Sequence, residues 1–299
     1  MEQEYKSGFI TIVGRPNVGK STLLNSIVGE KIAIISEKPQ TTRNKVTAIL
    51  TEDDSQMIFI DTPGIHKPKT KLGEYMMKVA EDTFSEVDVI LFVVEANKPL
   101  GADENKIIEG FASIKTPVIL IINKIDLVDK SVLLPLIERY SRLYGFRTAI
   151  PISAVNHDGI DLIKQQIKNM LPPGPQFFPD DMITDQPERQ IVSEMIREKV
   201  LRYLSEEVPH GIAVEVMSMK KKDHSETVEI LANIYCEKLS HKGIIIGKKG
   251  AMLKKIGSMA RVDIERLFGS KVFLDLWVKV KKDWRNSDFL IKSFGYEYE

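Results

Sequence analysis

The chain has 299 residues, of which 43% are hydrophobic and 28% charged, and its 42 basic residues balance 42 acidic ones. This composition excludes a disordered or low-complexity protein, and the single cysteine, Cys236, excludes an intramolecular disulfide or a cysteine-based zinc site. The length suggests two domains, the longest largely apolar stretch, Val87–Val94, is too short for a membrane span, and the polar N-terminus has no signal-peptide pattern. We therefore expect a cytoplasmic protein.

The first half of the chain alternates strand and helix patterns. Strands are predicted at Phe9–Val13, Val46–Thr51, Met57–Asp61, Val87–Val94, Val118–Ile122 and Thr148–Ile152. Helices are predicted at Gly19–Val28, Leu72–Phe84, Asp103–Phe111, Ser131–Tyr144 and Ile160–Met170. This alternation is typical of an α/β fold with a doubly wound, mostly parallel sheet.

A proline-rich stretch then interrupts the helical pattern, and we predict a first domain at residues 1–174, a linker at 175–186 and a second domain at 187–299. In the second domain, helices are predicted at Arg189–Leu204 and Ala251–Phe268, and strands at Ile212–Met219, Val228–Glu237 and Lys271–Val280. The first two of these strands are expected to be antiparallel. The pattern indicates a smaller α+β domain.

A phosphate-binding loop is predicted between the first strand and the first helix. The loop and the start of the helix read Gly14, Arg15, Pro16, Asn17, Val18, Gly19, Lys20, Ser21 and Thr22, which contains G-x-x-x-x-G-K-[ST]. Glycines let the backbone wrap phosphate oxygens, and the helix N-terminus supplies unpaired N–H groups. We expect Lys20 to reach the β- and γ-phosphates and Ser21 to ligate Mg²⁺.

Two further motifs follow predicted strands. Asp61, Thr62, Pro63 and Gly64 form D-x-x-G, in which Asp61 would hold Mg²⁺ through water and the Gly64 N–H would approach a γ-phosphate. Asn123, Lys124 and Asp126 belong to N-K-x-D, and Ser153 and Ala154 follow the last short strand. A carboxylate at Asp126 would accept two hydrogen bonds from guanine that adenine does not offer, with Ala154 N–H donating to guanine O6. This predicts a guanine nucleotide.

The order of these motifs resembles that of the Ras-like GTPase superfamily over about half of the chain. The loop at 31–45 would then carry a threonine that ligates Mg²⁺ in the triphosphate state, and of Thr41 and Thr42 we favour Thr42. The expected metal ligands are Ser21, Thr42 and Asp61. The expected catalytic residues are Lys20, Thr42, Gly64 and Asn17.

The sequence also predicts slow intrinsic hydrolysis. Ras-type enzymes orient the attacking water with a glutamine directly after D-x-x-G, and this chain has Ile65 there. Three substitutes remain open. They are His66, a partner protein, and a K⁺ ion held by Asn17, which resembles the potassium-coordinating asparagine of a related GTPase group.

The second domain carries a candidate site for single-stranded nucleic acid. Gly247, Lys248, Lys249 and Gly250 form G-x-x-G between an apolar run and a helix start, within a segment, 238–285, that has 13 Lys and Arg against four acids. This matches the KH module, whose loop clamps about four nucleotides. The expected RNA-binding residues are Ile246, Gly247, Lys248, Lys249, Gly250 and Lys254. The candidates for an apolar groove are Ile244, Ile246, Met252, Leu253 and Ile256, with the alternative that most of them are core residues only.

Taken together, nearly the whole chain resembles the Era family, bacterial GTPases with a C-terminal KH domain. Further matching segments are Gln40–Arg43, Pro151–Ala154, Ile183–Asp185, Arg197–Lys199 and Leu276–Lys281. The resemblance implies an α-β-β-α-α-β KH (type II) fold, GTP/GDP and Mg²⁺ as ligands, binding near the 3′ end of small-subunit ribosomal RNA, and a role in maturing the 30S subunit. We expect a monomer.

Two alternatives stay open at this level. One is a signalling or membrane-associated GTPase, peripheral at the inner face of the cell membrane, whose basic Lys279, Lys281 and Lys282 contact anionic lipid. The other is a passive RNA chaperone that binds nucleotide without useful turnover, which Ile65 keeps open.

Overall fold

The computed structural model describes residues 4–36, 38, 40–64, 70–82, 87–222 and 225–296. The chain divides into two compact units, one formed by residues 1–33, 42–68 and 74–185 and the other by 34–41, 69–73 and 186–299. Within the described ranges, no helix combines the length and the apolar character needed to cross a membrane.

The first unit is built on a six-stranded sheet. In chain order its strands are β1 (Lys6–Val13), β2 (Val46–Glu52), β3 (Ser55–Asp61), β4 (Val89–Glu95), β5 (Val118–Asn123) and β6 (Thr148–Pro151). Their spatial order is β2-β3-β1-β4-β5-β6, in which β2 is antiparallel to β3 and all other pairs are parallel. The predicted α/β fold class and mostly parallel sheet are confirmed.

The helices in the first half of the chain are α1 (Lys20–Val28), α2 (Lys71–Asp82), α3 (Ala102–Phe111), α4 (Leu133–Ser141) and α5 (Ile160–Met170). These five helices of the described residues were all predicted, and α5 has the predicted bounds, whereas the predicted end of the second helix, Phe84, lies outside the described residues. Helix α4 is shorter than predicted, because residues 130–132 form a separate 3₁₀ turn and Pro135 can only sit in the first turn of an α-helix.

Burial on both faces explains the continuous apolar runs of β4 and β5. Side chains that alternate along these strands belong to two hydrophobic clusters, one on each side of the sheet. Val89, Leu91 and Val93 face one cluster, whereas Ile90 and Phe92 face the other. A parallel sheet buried in this way places the carboxyl ends of β1, β3, β4 and β5 along one edge, where ligands bind in open α/β folds.

Residues 175–185 of the segment predicted as a linker, 175–186, belong to the first unit. Gln56 accepts hydrogen bonds from the N–H groups of Phe177 and Phe178 at 2.8 and 3.0 Å. The Ile49 N–H donates to the Ile183 carbonyl at 2.9 Å, and Thr184 Oγ1 donates to the Thr47 carbonyl at 2.6 Å. Prolines prevent a helix in this segment, and its backbone instead forms hydrogen bonds with the otherwise unpaired edge of β2.

The second unit has an α+β core. Its elements are α6 (Glu188–Tyr203), β7 (Ala213–Lys221), β8 (Val228–Cys236), α7 (Leu239–Ile246), α8 (Ala251–Phe268), β9 (Val272–Val280) and α9 (Asp288–Ser293). Strands β7 and β8 are antiparallel, as predicted, and β9 is parallel to β8. The order from α6 to β9 is the α-β-β-α-α-β arrangement that the family resemblance implied.

Alternation along β8 and β9 places one face of this sheet in the core. Ile230, Ala232 and Ile234 pack with Ile196 of α6 and Ile264 of α8 in one cluster. The hydrophobic core of the second unit therefore connects α6 directly with α8, the helix that follows the G-x-x-G loop.

Candidate nucleotide and nucleic-acid sites

The phosphate-binding loop joins β1 to α1 in the geometry that the sequence predicts. Gly14 and Gly19 adopt positive φ values of 154° and 101°, and a side chain at Gly14 would collide with the Val93 carbonyl. Lys20 is buried, and its ammonium group donates to the carbonyls of Gly14 at 3.1 Å and Arg15 at 3.0 Å. The loop thus encloses a fixed positive charge at the N-terminus of a helix.

The charge of Lys20 is balanced across the site by one acid. Burial lowers the pKa of Lys20, and the nearby Asp61 carboxylate opposes that shift. Burial likewise raises the pKa of Asp61, and Lys20 and two hydroxyl donors oppose it. A desolvated pair of opposite charges, here at the start of α1 and the end of β3, is a feature of functional sites.

The three expected magnesium ligands lie together. Ser21 Oγ donates to Asp61 Oδ2 at 2.7 Å, Thr42 Oγ1 donates to the same oxygen at 3.3 Å, and the two hydroxyl oxygens are 3.0 Å apart. Among the residues that the structure describes, the buried Asp61 Oδ1 has no hydrogen-bond partner. Mg²⁺ is bound by one or two carboxylates together with water and substrate phosphates, so two hydroxyls and one half-satisfied carboxylate fit this ion.

Thr41 and Thr42 differ clearly in their surroundings. Thr41 Oγ1 donates to the backbone carbonyl of Lys38 at 2.6 Å and lies 3.4 Å from that of Ser36. Its hydroxyl is therefore used within its own loop, and Thr42 is the candidate ligand of the two.

The rest of the D-x-x-G motif lies against the phosphate loop. The Thr62 hydroxyl donates to the Ile12 carbonyl at 3.3 Å, and Pro63 is buried. A side chain at Gly64 would approach the backbone nitrogen of Pro16 to 2.9 Å, so only glycine permits this contact. Ile65 and His66, on which the hydrolysis argument depends, lie outside the described residues.

Asn123 connects the phosphate loop with the two loops predicted to bind the base. Its amide donates to the Val18 carbonyl at 2.9 Å, and its Oδ1 accepts from the N–H groups of Lys124 at 2.8 Å and Ala154 at 3.1 Å. The Ala154 N–H predicted to donate to guanine O6 is thus engaged with Asn123, and its contact with a base remains a prediction. Exposed Asp126 accepts from the Ser153 hydroxyl at 2.6 Å.

A network of charges that the sequence reasoning missed braces the same loops. Lys124 donates to the carbonyl of Asn17 at 2.8 Å and pairs with Glu95 at the end of β4. The Arg15 guanidinium pairs with Glu104 of α3 at 2.5 Å and lies 3.9 Å from Glu95. The side chain of Arg15 is therefore engaged with acids, which leaves its backbone as the part available to a nucleotide. The signal in the sequence for this network was the pair of acidic residues Glu95, at the end of β4, and Glu104, in the helix that follows it.

The G-x-x-G loop projects between α7 and α8. Gly247, Lys249 and Gly250 have φ values of 71°, 54° and 79°, and a side chain at Gly247 would approach the Met252 nitrogen to 3.0 Å. Lys248 and Lys249 are exposed, as is Lys254 one turn into α8. The backbone is tightly turned and both lysines are accessible to a phosphate chain.

The predicted groove residues divide into two groups. Ile244 is 50% exposed, and Ile246, Met252 and Leu253 are partly buried against the core cluster. Ile256 is fully buried and is a core residue, so of the two alternatives the core role holds for it and the groove role does not. Position on α8 explains the difference, because Ile256 lies on the helix face that packs on the sheet together with Ala260 and Ile264.

Comparisons with known proteins find matches for both halves of the chain. Residues 9–124 match the family model of the 50S ribosome-binding GTPases, and residues 207–285 match that of KH domains. The GTPase Era of Ruminiclostridium cellulolyticum is 61% identical over 293 residues, which are 98% of this chain and 98% of that protein. The GTPase Era of Alkaliphilus metalliredigens is 58% identical over 98% and 99% of the two chains.

Solved structures show the same fold. A crystal structure of a variant of Aquifex aeolicus Era bound to GDP and AlF₄⁻ matches with a TM-score of 0.95 and 41% identity. A structure of Era with MgGDPNP and nucleotides 1506–1542 of 16S ribosomal RNA matches with a TM-score of 0.95 and 40% identity, and both matches cover 98% of this chain and 100% of the other. By full-length sequence identity and by fold, the chain belongs to the GTPase Era family.

Proposed function

We propose that this chain is a GTP-hydrolysing switch protein that binds the single-stranded region near the 3′ end of small-subunit ribosomal RNA and acts in maturation of the 30S subunit. The observation that carries the nucleotide half is the convergence of Ser21, Thr42 and Asp61, with one carboxylate oxygen left unpaired in a buried position. A relative in the same family binds MgGDPNP and a 16S ribosomal RNA segment, which supports extending both ligands to this chain.

The residues around this site would hold and polarise the triphosphate. Lys20, whose ammonium group donates to the Gly14 carbonyl, would bind the β- and γ-phosphates, while Gly14, Gly19 and Gly64 would allow backbone N–H groups to approach phosphate oxygens. Mg²⁺, when bound, neutralises charge on the β- and γ-phosphate oxygens. Thr42 reaches the metal only when its loop is closed, so its position would distinguish GTP from GDP.

Slow hydrolysis would need additional positive charge near the phosphates. Asn17 is exposed and has a φ of 68° at the tip of the phosphate loop. A monovalent cation bound there would contact both the phosphates and the Asn17 side chain. We expect turnover to be faster in KCl than in NaCl, and this difference to disappear in Asn17→Ala. Equal turnover in both salts would leave an arginine from a partner, or His66, as the remaining sources.

The second unit would bind the RNA. Its tightly turned G-x-x-G backbone, the exposed Lys248 and Lys249, and the half-exposed Ile244 offer phosphate contacts beside an apolar surface for bases. The hypothesis of coupling adds that nucleotide state changes RNA affinity. Equal RNA affinity with GDP and with a non-hydrolysable GTP analogue would argue against it.

Crosslinking of the protein to RNA in its native cells tests the target. We expect a sharp peak at the 3′ end of small-subunit ribosomal RNA that is lost in the double variant Lys248→Asp/Lys249→Asp. The charge-matched control is Lys220→Asp/Lys222→Asp, at exposed positions in and after β7, which should keep the peak. A peak elsewhere, or one that survives in the first variant, would refute the assignment.

The remaining expectations concern turnover and surroundings. A passive RNA chaperone would show no RNA-stimulated GTP turnover, whereas we expect stimulation.

We also propose that a minor fraction of the protein is peripheral at the membrane through the exposed Lys279, Lys281 and Lys282. Cosedimentation with anionic vesicles at physiological salt tests this. A monomer is expected by light scattering.

A further inference from the structure

Helix α6 holds three consecutive charged residues whose side chains are almost completely buried. The exposed side-chain fractions are 0% for Arg197, 6% for Glu198 and 4% for Lys199. Buried charges are costly unless each is paired and hydrogen-bonded, so their partners indicate what the arrangement serves. Some of these partners lie in the segment formed by residues 34–41, which belongs to the same unit as α6.

Arg197 bonds to the backbone of this segment. Its guanidinium is oriented by Glu194, with Nε donating to Oε1 at 2.8 Å and Nη2 donating to Oε2 at 2.5 Å. Nη2 also donates to the carbonyl oxygen of Thr41. The planar guanidinium, fixed by a two-bonded carboxylate, therefore holds one main-chain carbonyl in a defined direction.

That carbonyl belongs to the peptide bond that leads into Thr42. Because the peptide unit is planar, fixing the direction of the Thr41 carbonyl also fixes the direction in which the chain enters Thr42. Thr42 Oγ1 lies 3.0 Å from Ser21 Oγ and 3.3 Å from Asp61 Oδ2. The contact made by Arg197 thus bears directly on the placement of the candidate magnesium ligand.

Glu198 makes a second contact with the same segment and continues into α8. Its Oε1 accepts the N–H of Ile35 at 3.0 Å, and its Oε2 accepts from Lys199 at 2.7 Å. Lys199 in turn donates to Asp263 of α8 at 2.5 Å. A continuous chain of charge-assisted hydrogen bonds therefore runs from the backbone at residue 35 to the helix that follows the G-x-x-G loop.

We propose that Arg197 is a positioning residue for Thr42 and that Glu198, Lys199 and Asp263 relay the state of the loop backbone held at Ile35 and Thr41 to the RNA-binding helix α8. This inference rests on the proposed function and assigns its coupling to named residues. In the GTP state the held Thr41 carbonyl keeps Thr42 directed at the metal. By linkage, two factors must be equal. The factor by which bound RNA changes the ratio of GTP affinity to GDP affinity equals the factor by which replacing GDP with GTP changes the affinity for RNA.

The test measures the affinities of the full-length protein for GDP and for a non-hydrolysable GTP analogue with saturating Mg²⁺, without and with the 3′-terminal small-subunit RNA segment. Arg197→Lys keeps the positive charge. An ammonium group lacks the planar arrangement of donors, so it cannot form both hydrogen bonds to Glu194 and the one to the Thr41 carbonyl at the same time. We expect it to lower the analogue-to-GDP affinity ratio about tenfold or more, as for one lost charge-assisted hydrogen bond, with GDP affinity within twofold of wild type. A purely structural defect would weaken both nucleotides.

The matched control is Arg285→Lys. Arg285 makes the same two-bonded pair with Glu237, at 3.1 and 2.6 Å, in the second unit, and within the described part of the chain it forms no hydrogen bond or ion pair with residues 34–41. It should leave the ratio unchanged. Glu194→Gln, at a partly exposed position, loosens Arg197 without removing it and should lower the ratio less, which provides a second variant if Arg197→Lys unfolds.

Asp263→Ala tests the relay. It removes the link to α8 and leaves the Glu198–Lys199 pair in place. We expect the ratio without RNA to equal that of wild type and the effect of RNA on the ratio to be lost. An unchanged ratio in both Arg197→Lys and Glu194→Gln, or an RNA effect retained in Asp263→Ala, overturns the inference. Wild-type protein that binds no GTP analogue or no RNA refutes the proposed function instead.

Discussion

Replacement of Asp126 by asparagine should change the base that the protein prefers. One carboxylate oxygen of Asp126 accepts from the Ser153 hydroxyl at 2.6 Å, which fixes the orientation of the group while the side chain remains exposed. In Asp126→Asn one oxygen becomes an amino group that would face the 2-amino group of guanine, donor against donor. Xanthine has a carbonyl oxygen at that position and would accept from it.

The magnitude follows from the two hydrogen bonds affected. Each hydrogen bond to a charged group contributes about 1.5 to 3 kcal/mol, so the two bonds together contribute about 3 to 6 kcal/mol, and the substitution opposes one of them and removes the charge from the other. Because Asp126 is exposed, the lower end applies, and 3 kcal/mol corresponds to a loss of GDP affinity of roughly 150-fold.

Competition binding against a fluorescent nucleotide measures this change, with GDP and xanthosine diphosphate as competitors. Asp126→Asn should lose GDP affinity and gain affinity for xanthosine diphosphate. The control is Asp129→Asn, an exposed acid shortly after the 3₁₀ turn Ile125–Leu127 that contains Asp126, and this substitution should change neither affinity. Retention of GDP affinity within threefold of wild type in Asp126→Asn would refute the assignment of this carboxylate to the base.

Further predictions concern the metal, the loop of the second unit and pH. Thr42→Ala should raise the Mg²⁺ concentration needed for GTP-analogue binding about tenfold, whereas Thr41→Ala should change it less than twofold, as titration with EDTA-buffered Mg²⁺ can measure. Gly247→Ala should destabilise the second unit by about 2 kcal/mol and Gly250→Ala, which meets open space, by about 1 kcal/mol, in urea unfolding followed by tryptophan fluorescence. Comparable losses for both would contradict the steric argument. Burial and a carboxylate hydrogen bond raise the pKa of Tyr235 from 10.0 to about 12, so the stability that its neutral phenol contributes below pH 10 should be lost as the pH rises towards 12. Tyr235→Phe should flatten that decline, and an unaltered profile would count against it.

The elements of the first unit could be predicted well because their apolar runs are long and both faces are buried. Strand β5 begins at the predicted residue, and α5 coincides with its prediction. Sequence pattern alone predicts an apolar run and no helix where α7 lies, because Ile244, Ile245 and Ile246 are β-branched and favour strands by local preference. Packing of Ile245 into the core of the second unit overrides that preference.

The candidate site was predictable where residue type alone decides the chemistry. Lys20, Ser21 and Asp61 lie where their motifs indicate. The side-chain direction of Arg15 was not predictable, because it depends on Glu104, which lies in another element. The attachment of residues 34–41 to α6 has no local signal either, because hydrogen bonds between residues about 160 positions apart produce it.

The hydrogen bonds between residues 177–184 and strands β2 and β3 affect how the protein folds during synthesis. The hairpin β2–β3 is translated early, but the chain that covers its outer edge ends more than 120 residues later. Until that segment leaves the ribosome, the Ile49 N–H and the Thr47 carbonyl remain open to other strands. A fragment intended to isolate the first unit should therefore extend to Asp185, because one that ends at Gly174 would expose this edge and tend to aggregate.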